Sequence, residues 1–486
     1  MNWALLTNSL AVSGGATLLA VLMGFIAALW LVTLRPVWRS RLLLLSIIAM
    51  VLPPFLVTNC WLHFLGLTGV WRSWLPLNIY SLGGTIWILA LLTWPIALVA
   101  VLSAWSRLEP TQLESEPMLG GQALIRWLLW PMARVSLGQA AVLTFVLALN
   151  NFAVPAILQV KVFPAEIWIK FSANLDWRAA LVLSWPLILA PILLLLLLQR
   201  AEIKWPRQSN GVAAKIIRRQ LGPGWFWGCG VIAIAVLLMS VALPLMQIVA
   251  VKRTWTELPT VFGAVPGVVW NSFAFSALTA TACIIIALAA RTIARQGQFS
   301  SFNSFNLFNR FNLFNLVPFS LALWLPFLIP GVLLGIALIW VFNRAVFEAI
   351  YHGAAIVLIA WTIRYLALSW NGVGFALQSV DPDLTDAARL DGASRWAMLR
   401  YVQWPQIAPQ VGASWYITYL LCLWDVETLV LIYPPGGETL ALRIFNLLHY
   451  GHNAQVNALC LLLLAIAVAP LLAWFGVRRF AGALVK

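Results

Sequence analysis

The sequence predicts an all-α integral membrane protein of about eleven spans in two parallel repeats. Three observations carry this: the apolar content, the side on which basic residues fall, and motifs recurring at a near-constant offset. Of 486 residues, 62% are hydrophobic and 9% charged, and the mean hydropathy is +0.92. That composition excludes a soluble domain. The net charge of +15 would suggest nucleic acid in a soluble protein. In a membrane chain, the bias of Lys and Arg toward one side explains it, and no nucleic-acid partner is expected.

Apolar runs of roughly twenty residues place spans near 10–34, 42–65, 84–105, 134–157, 179–199, 226–250, 269–290, 317–341, 353–375, 408–432 and 454–477. Met1 to Ser9 lacks a basic stretch and the first apolar run is long enough to span, so no cleavable leader is expected. With Arg35, Arg39 and Arg41 on the inside, alternation puts 21 of the 30 Lys and Arg residues there and 8 outside. The remaining one, Arg364, falls within a span. This bias sets the amino terminus outside and the carboxyl terminus inside.

The repeat comes next. Asn8-Ser9 matches Asn271-Ser272 at an offset of 263, and Pro54-Phe55-Leu56 matches Pro326-Phe327-Leu328 at 272. Glu114 and Gly120 match Asp386 and Gly392 at 272, and Trp130-Pro131 matches Trp404-Pro405 at 274. The reading is a first half over 1–205, a basic linker over 206–224 and a second half over 225–486. The step in offset falls where Phe-Asn dipeptides recur between 302 and 315, a low-complexity insert with no evident chemistry. Equivalent points run the same way across the membrane, which implies a pore on a pseudo-two-fold axis. Span 226–250 has no counterpart in the first half.

The stretch 386–405, within a loop over 378–405, is polar and charged and lies between two long apolar segments. Asp381-Pro382 is an N-cap followed by proline at the first helical position. Asp386, Ala387 and Ala388 follow on helix-forming ground, and Gly392 can end the helix in a left-handed conformation. A short helix, a glycine bend and a second short helix are expected. The spacing from Asp386-Ala387-Ala388 through Gly392 to Val402, Trp404 and Pro405 resembles the cytoplasmic EAA loop of permease subunits of ABC importers. The resemblance implies the MetI-like permease fold in a bacterial inner membrane. It also implies a dimer of separate cytoplasmic ATPase subunits that dock on the loop, and a periplasmic or lipid-anchored solute-binding protein. The loop over 106–131 is a degenerate copy, with Glu114 and Gly120 retained, Ser115 and Glu116 in place of the alanines, and two fewer residues before Pro131.

No Gly-Lys dipeptide and hence no P-loop occurs, so ATP hydrolysis is assigned to a separate subunit. No catalytic constellation and no cofactor site stands out. The five cysteines are scattered through apolar runs and read as buried hydrophobes. His449 and His452, at i and i+3, have metal-ligand spacing but read as surface residues, and no metal is assigned. The 28 tryptophans read as interfacial belts.

Arg364 is the costliest residue in a span and should find a partner, with Asp425 or Glu427 nearest by depth. The pair would either fix packing or act in passage and gating. Glu438 joins these as a translocation candidate. Glu438-Thr439-Leu440-Ala441 and Arg364-Tyr365-Leu366-Ala367 resemble the fused permeases for ferric iron and thiamine. The solute itself is open, with phosphonate and sulfate among the alternatives. Two rival readings remain: an ion-coupled secondary transporter, which would need ionisable residues in the spans of both halves, and a non-transporting scaffold.

Overall fold

The computed structural model describes residues 3–106, 108, 113–114, 119–174, 177–198, 211–295, 322–450 and 455–484. Every regular element among the described residues is a helix. Seven described helices are long and apolar enough to cross a membrane, or nine spans result if each of two bent helix pairs is one. Helices Trp177–Leu198 and Trp404–Trp424 fall where the eleven-span reading puts two further spans and are not among those nine. The Phe-Asn insert, His452 and the linker residues 206–210 lie outside the described residues.

Two compact units are present. One comprises Met1–Leu258 with Phe445–Ala458, the other Pro259–Ile444 with Leu459–Lys486. Helix Gly211–Leu237 packs on the first helix of the chain. The boundary at 206–224 follows the repeat, whereas the division at Leu258 follows packing.

Each unit is built on three mutually packed helices. In the first these are α1 (Trp3–Leu31), α2 (Leu82–Trp105) and α3 (Trp130–Asn150). In the second they are α4 (Pro266–Arg295), α5 (Ala355–Gln378) and α6 (Trp404–Trp424). α2 and α5 are each 24 residues, and α3 and α6 each 21. Small residues set the close approaches. A β-carbon at Gly24 of α1 would lie 2.6 Å from the Trp94 carbonyl oxygen of α2. One at Gly372 of α5 would strike Ser414 of α6. Beside it, the Ser369 and Thr418 hydroxyls pair at 3.0 Å. In membranes, where lipid tails are as apolar as Leu, such close packing and interhelical hydrogen bonds hold helices together.

The span read over 42–65 is in fact broken, and a second bend follows the one read over 317–341. Pro36–Val51 and Pro54–Leu65 bend by 88°, and Gly331–Phe342 and Ala345–Tyr351 by 107°. At the first break Pro53 and Pro54 lack the N–H groups that would continue the ladder. The loop also differs from expectation after its glycine. Instead of a separate second short helix, Arg395–Ala397 runs through a π-helical stretch, Met398–Gln403, directly into α6. The Trp404 N–H reaches back to the Leu399 carbonyl, and the Trp130 N–H likewise to Ile125. This widened turn accommodates Pro405 and Pro131, which cannot donate to the ladder.

Candidate functional site

Three features of the polar minority stand out: the loop between α5 and α6, a buried charge cluster after α6, and a pair of Asn-Ser tethers.

The loop helix Pro382–Leu390 starts as its sequence dictates. The Asp381 carboxylate accepts from the Asp383 N–H at 3.0 Å, with Pro382 in the first turn. The end is a Schellman motif. The Gly392 N–H donates to Arg389 O, the Ala393 N–H to Ala388 O, each at 3.0 Å, and Gly392 has φ +75°. The base is fixed too: the Asp381 N–H donates to the Gln406 side chain at 3.0 Å, and Gln406 donates to Val402 O at 2.8 Å. Asp386 is exposed and pairs with Arg389 at 2.9 Å. Ala387 and Pro405 are exposed, Ala388 and Val402 half-buried. Leu390 is 89% exposed, Tyr401 71% and Trp396 67%, so a polar loop displays large apolar side chains. Such a surface suits a protein partner.

The first-half loop is built differently. Its left-handed turn falls at Gly121, φ +54°, not at Gly120. It is also held by its own chain. The Gly121 N–H donates to Gln220 O at 2.8 Å, and the Gln220 amide donates to Leu113 O at 2.9 Å. Glu114 is exposed.

The second feature brings Arg364 together with both of its candidate partners. Its Nη2 donates to the Glu427 carboxylate at 2.7 Å and its Nη1 to Thr428 Oγ1 at 2.7 Å, with Asp425 at 3.6 Å. Asp425 is held independently. It accepts from the Tyr365 hydroxyl at 3.0 Å, the Thr428 hydroxyl at 2.7 Å and the Thr428 N–H at 3.0 Å. The two acids lie past the end of α6, not inside it. Asp425 ends that helix by capturing the Thr428 N–H, as Asn151 ends α3 by capturing the Val154 N–H at 3.1 Å. Glu427 also faces the start of helix Gly331–Phe342, 3.5 Å from the Gly331 N–H, where the helix dipole favours an anion. A β-carbon at Gly331 would land on the Arg364 guanidinium. The cluster thus pins α5, the broken helix and the segment after α6 at one buried point. Tyr365, Thr428 and Gly331 were missed by the sequence reading.

Glu438 lies apart from this cluster, 3.4 Å from Arg443. Its neighbourhood is the third feature. Asn271 donates to the carbonyls of Gly436 at 2.7 Å and Glu438 at 3.2 Å, and Ser272 Oγ accepts the Leu440 N–H at 2.8 Å. In the first unit Asn8 donates to Lys161 O at 3.2 Å, and Ser9 Oγ accepts the Phe163 N–H at 3.1 Å. The repeated Asn-Ser pair ties the start of each unit to its post-helix turn. His449 is engaged at 3.1 Å with Ala156 O and stacks on Phe445. All five cysteines are buried and free.

The fold and these features define a polytopic helical membrane protein with an exposed, hydrogen-bonded loop and, among the described residues, a buried ionic pin. Comparison with known proteins narrows the class. Residues 306–479, which hold the α5–α6 loop and the charge cluster, match the family described as binding-protein-dependent transport system inner membrane component. The chain is similar to a Salmonella typhi protein named as the 2-aminoethylphosphonate transport system permease protein PhnV. The two are 31% identical over 150 residues, which is 31% of this chain and 56% of the relative. It is also similar to the spermidine/putrescine transport system permease protein PotC of Escherichia coli K12. That match is 31% identical over 97 residues, or 20% of this chain and 37% of the relative. The chain spans about half the length, or less, of these curated relatives. Both relatives are named as transport system permease proteins, and neither is named for ferric iron or thiamine.

Proposed function

We propose that this chain is the fused permease subunit of an ATP-binding-cassette importer of a bacterial inner membrane, with its amino terminus periplasmic and its carboxyl terminus cytoplasmic. It works with a cytoplasmic ATPase dimer and a periplasmic or lipid-anchored solute-binding protein. The observation that carries this is the Schellman-ended helix Pro382–Leu390. It is anchored at its base, presents exposed apolar side chains, carries the spacing of the ATPase-docking loop and lies inside the family match. Asp386, Ala387, Ala388 and Gly392 shape the docking helix, and Val402 and Pro405 its return to the span. Glu114 and Gly120 provide a weaker second contact, because that loop is already tied to Gln220.

Arg364, Asp425 and Glu427 form the hinge pin of the gate. On solute class, the names of the relatives favour a small amine-bearing solute, of the aminophosphonate or polyamine kind, over the ferric iron or thiamine branch. The two short segments that resemble that branch have structural partners: Arg364 and Tyr365 in the ionic pin, Leu440 in the Ser272 tether.

Gly392→Val tests the docking role. A β-branched residue at φ +75° costs about 1–2 kcal/mol, and no atom lies within 4 Å of the position. The spans should therefore insert normally while the helix end is mis-aimed. The expected outcome is normal membrane yield, loss of the co-purified ATPase and loss of uptake, with Gly120→Val milder. Full ATPase retention and normal stimulation of hydrolysis by Gly392→Val would overturn the assignment.

A further inference from the structure

A basic pocket lies on helix Gly211–Leu237 of the first unit. Gly222, at φ +81° and ψ 164°, breaks this helix, and Pro223 begins the next helical run. Before the break, Ile217 and Leu221 are buried, and the Gln220 backbone and amide are bonded to the first-half loop. That fixes the apolar face inward and turns Lys215, Arg218 and Arg219 outward, all three exposed. A pocket of about 400 Å³ opens beside them, with Phe226 and Trp227 in its wall. Arg218 lies 4.2 Å from the centre of the Phe226 ring, which holds the guanidinium at the pocket. Among the described residues, no carboxylate forms an ion pair with any of these three cations.

We propose that this pocket binds the phosphate-bearing headgroup of an anionic phospholipid. Two guanidinium groups and an ammonium gathered at one pocket match a phosphate in charge and donor geometry. The lipid, rather than free phosphate, follows from what lies next to the pocket. Trp227, Val231, Ile234 and Leu238 recur at i, i+4, i+7 and i+11 on one helix face. They are 67%, 65%, 43% and 51% exposed, within a stretch, Ala214–Ala250, apolar enough to cross the membrane. This stripe gives an acyl chain a track from the headgroup into the bilayer. The site also orders the segment that holds the first-half loop, since Gln220 lies between the lipid cations and that loop.

The test titrates the purified full chain in detergent with dioctanoyl phosphatidylglycerol, dioctanoyl phosphatidylcholine and inorganic phosphate, read by native mass spectrometry. The wild type should retain phosphatidylglycerol and not phosphatidylcholine, and equimolar phosphate should not displace it. Each charge removed should weaken binding about fivefold, so Lys215→Gln/Arg218→Gln/Arg219→Gln together should weaken it on the order of a hundredfold. Arg219→Glu alone, at an exposed position, guards against misfolding of the triple variant and should weaken binding at least fivefold. Arg41→Gln, a basic residue elsewhere, should change nothing. Unchanged retention by Arg219→Glu and the triple variant would overturn the site. Displacement by equimolar phosphate would overturn the lipid assignment.

Discussion

Removing the Arg364 charge should expose which acid it serves. Replacement by Met keeps an unbranched apolar stem and removes the cation that faces the two carboxylates. Asp425, with 1% of its side chain accessible, keeps its bonds from Tyr365 and from the hydroxyl and N–H of Thr428. Glu427, 15% accessible, loses its 2.7 Å ion pair and keeps the longer contact from Gly331. Breaking a buried pair in this way costs about 3–5 kcal/mol. Arg364→Met/Glu427→Gln should recover much of it, with a coupling energy of about 2 kcal/mol or more. Coupling between Arg364 and Asp425 should be smaller, because the 3.6 Å approach carries no hydrogen bond and Asp425 has three other donors. All five cysteines are buried and free, so a thiol-reactive dye during a thermal ramp reports unfolding directly. Additive effects for Glu427, or stronger coupling to Asp425 than to Glu427, would refute this ordering.

Two further outcomes follow from the repeat and the charge bias. Ser272→Ala removes the acceptor of the buried Leu440 N–H and should destabilise by about 1–3 kcal/mol, with Ser9→Ala comparable; the same dye assay checks both, and no shift for either would discard the tether. A reporter active only in the cytoplasm should work after Lys486 or near Ser209 and fail near Gly436, whereas activity near Gly436 would reverse the proposed orientation.

The sequence disclosed features set by local chemistry. The helix start at Asp381-Pro382 and the glycine stop at Gly392 depend on neighbours a few residues away, so their residue types announce them. The partners of Arg364 were legible for a different reason: few charges lie at that depth, and a buried cation needs an anion. What stayed hidden depends on tertiary geometry. Hydropathy averages over a window, so it read 42–65 as one span and passed over the 88° bend at Pro53. It also carried the span 408–432 through Asp425, where a side chain accepting from an N–H three residues on ends the helix. The Asn-Ser pairs were visible as a repeat, but not as tethers. Their acceptors and donors lie between 153 and 168 residues further along the chain, at 161–163 and 436–440.

The repeat supplies an internal control on the charge cluster. At the offset that aligns α2 with α5, Arg364 and Tyr365 correspond to Leu91 and Leu92. At the offset that aligns α3 with α6, Asp425, Glu427 and Thr428 correspond to Asn151, Ala153 and Val154. Leu91, Ala153 and Val154 are buried, and the turn after α3 is closed by the same side-chain-to-backbone bond. One architecture is therefore built twice, once with apolar contacts and once with a guanidinium between two carboxylates. Since apolar replacements of buried ion pairs are often neutral or stabilising, stability does not require the charges. What charge adds is directional: Arg364 holds Glu427, and Glu427 holds the start of the broken helix at Gly331. Apolar packing is non-directional, whereas this charge-assisted linkage has fixed donors and acceptors. That difference is the physical basis for the hinge-pin role proposed for Arg364, Asp425 and Glu427.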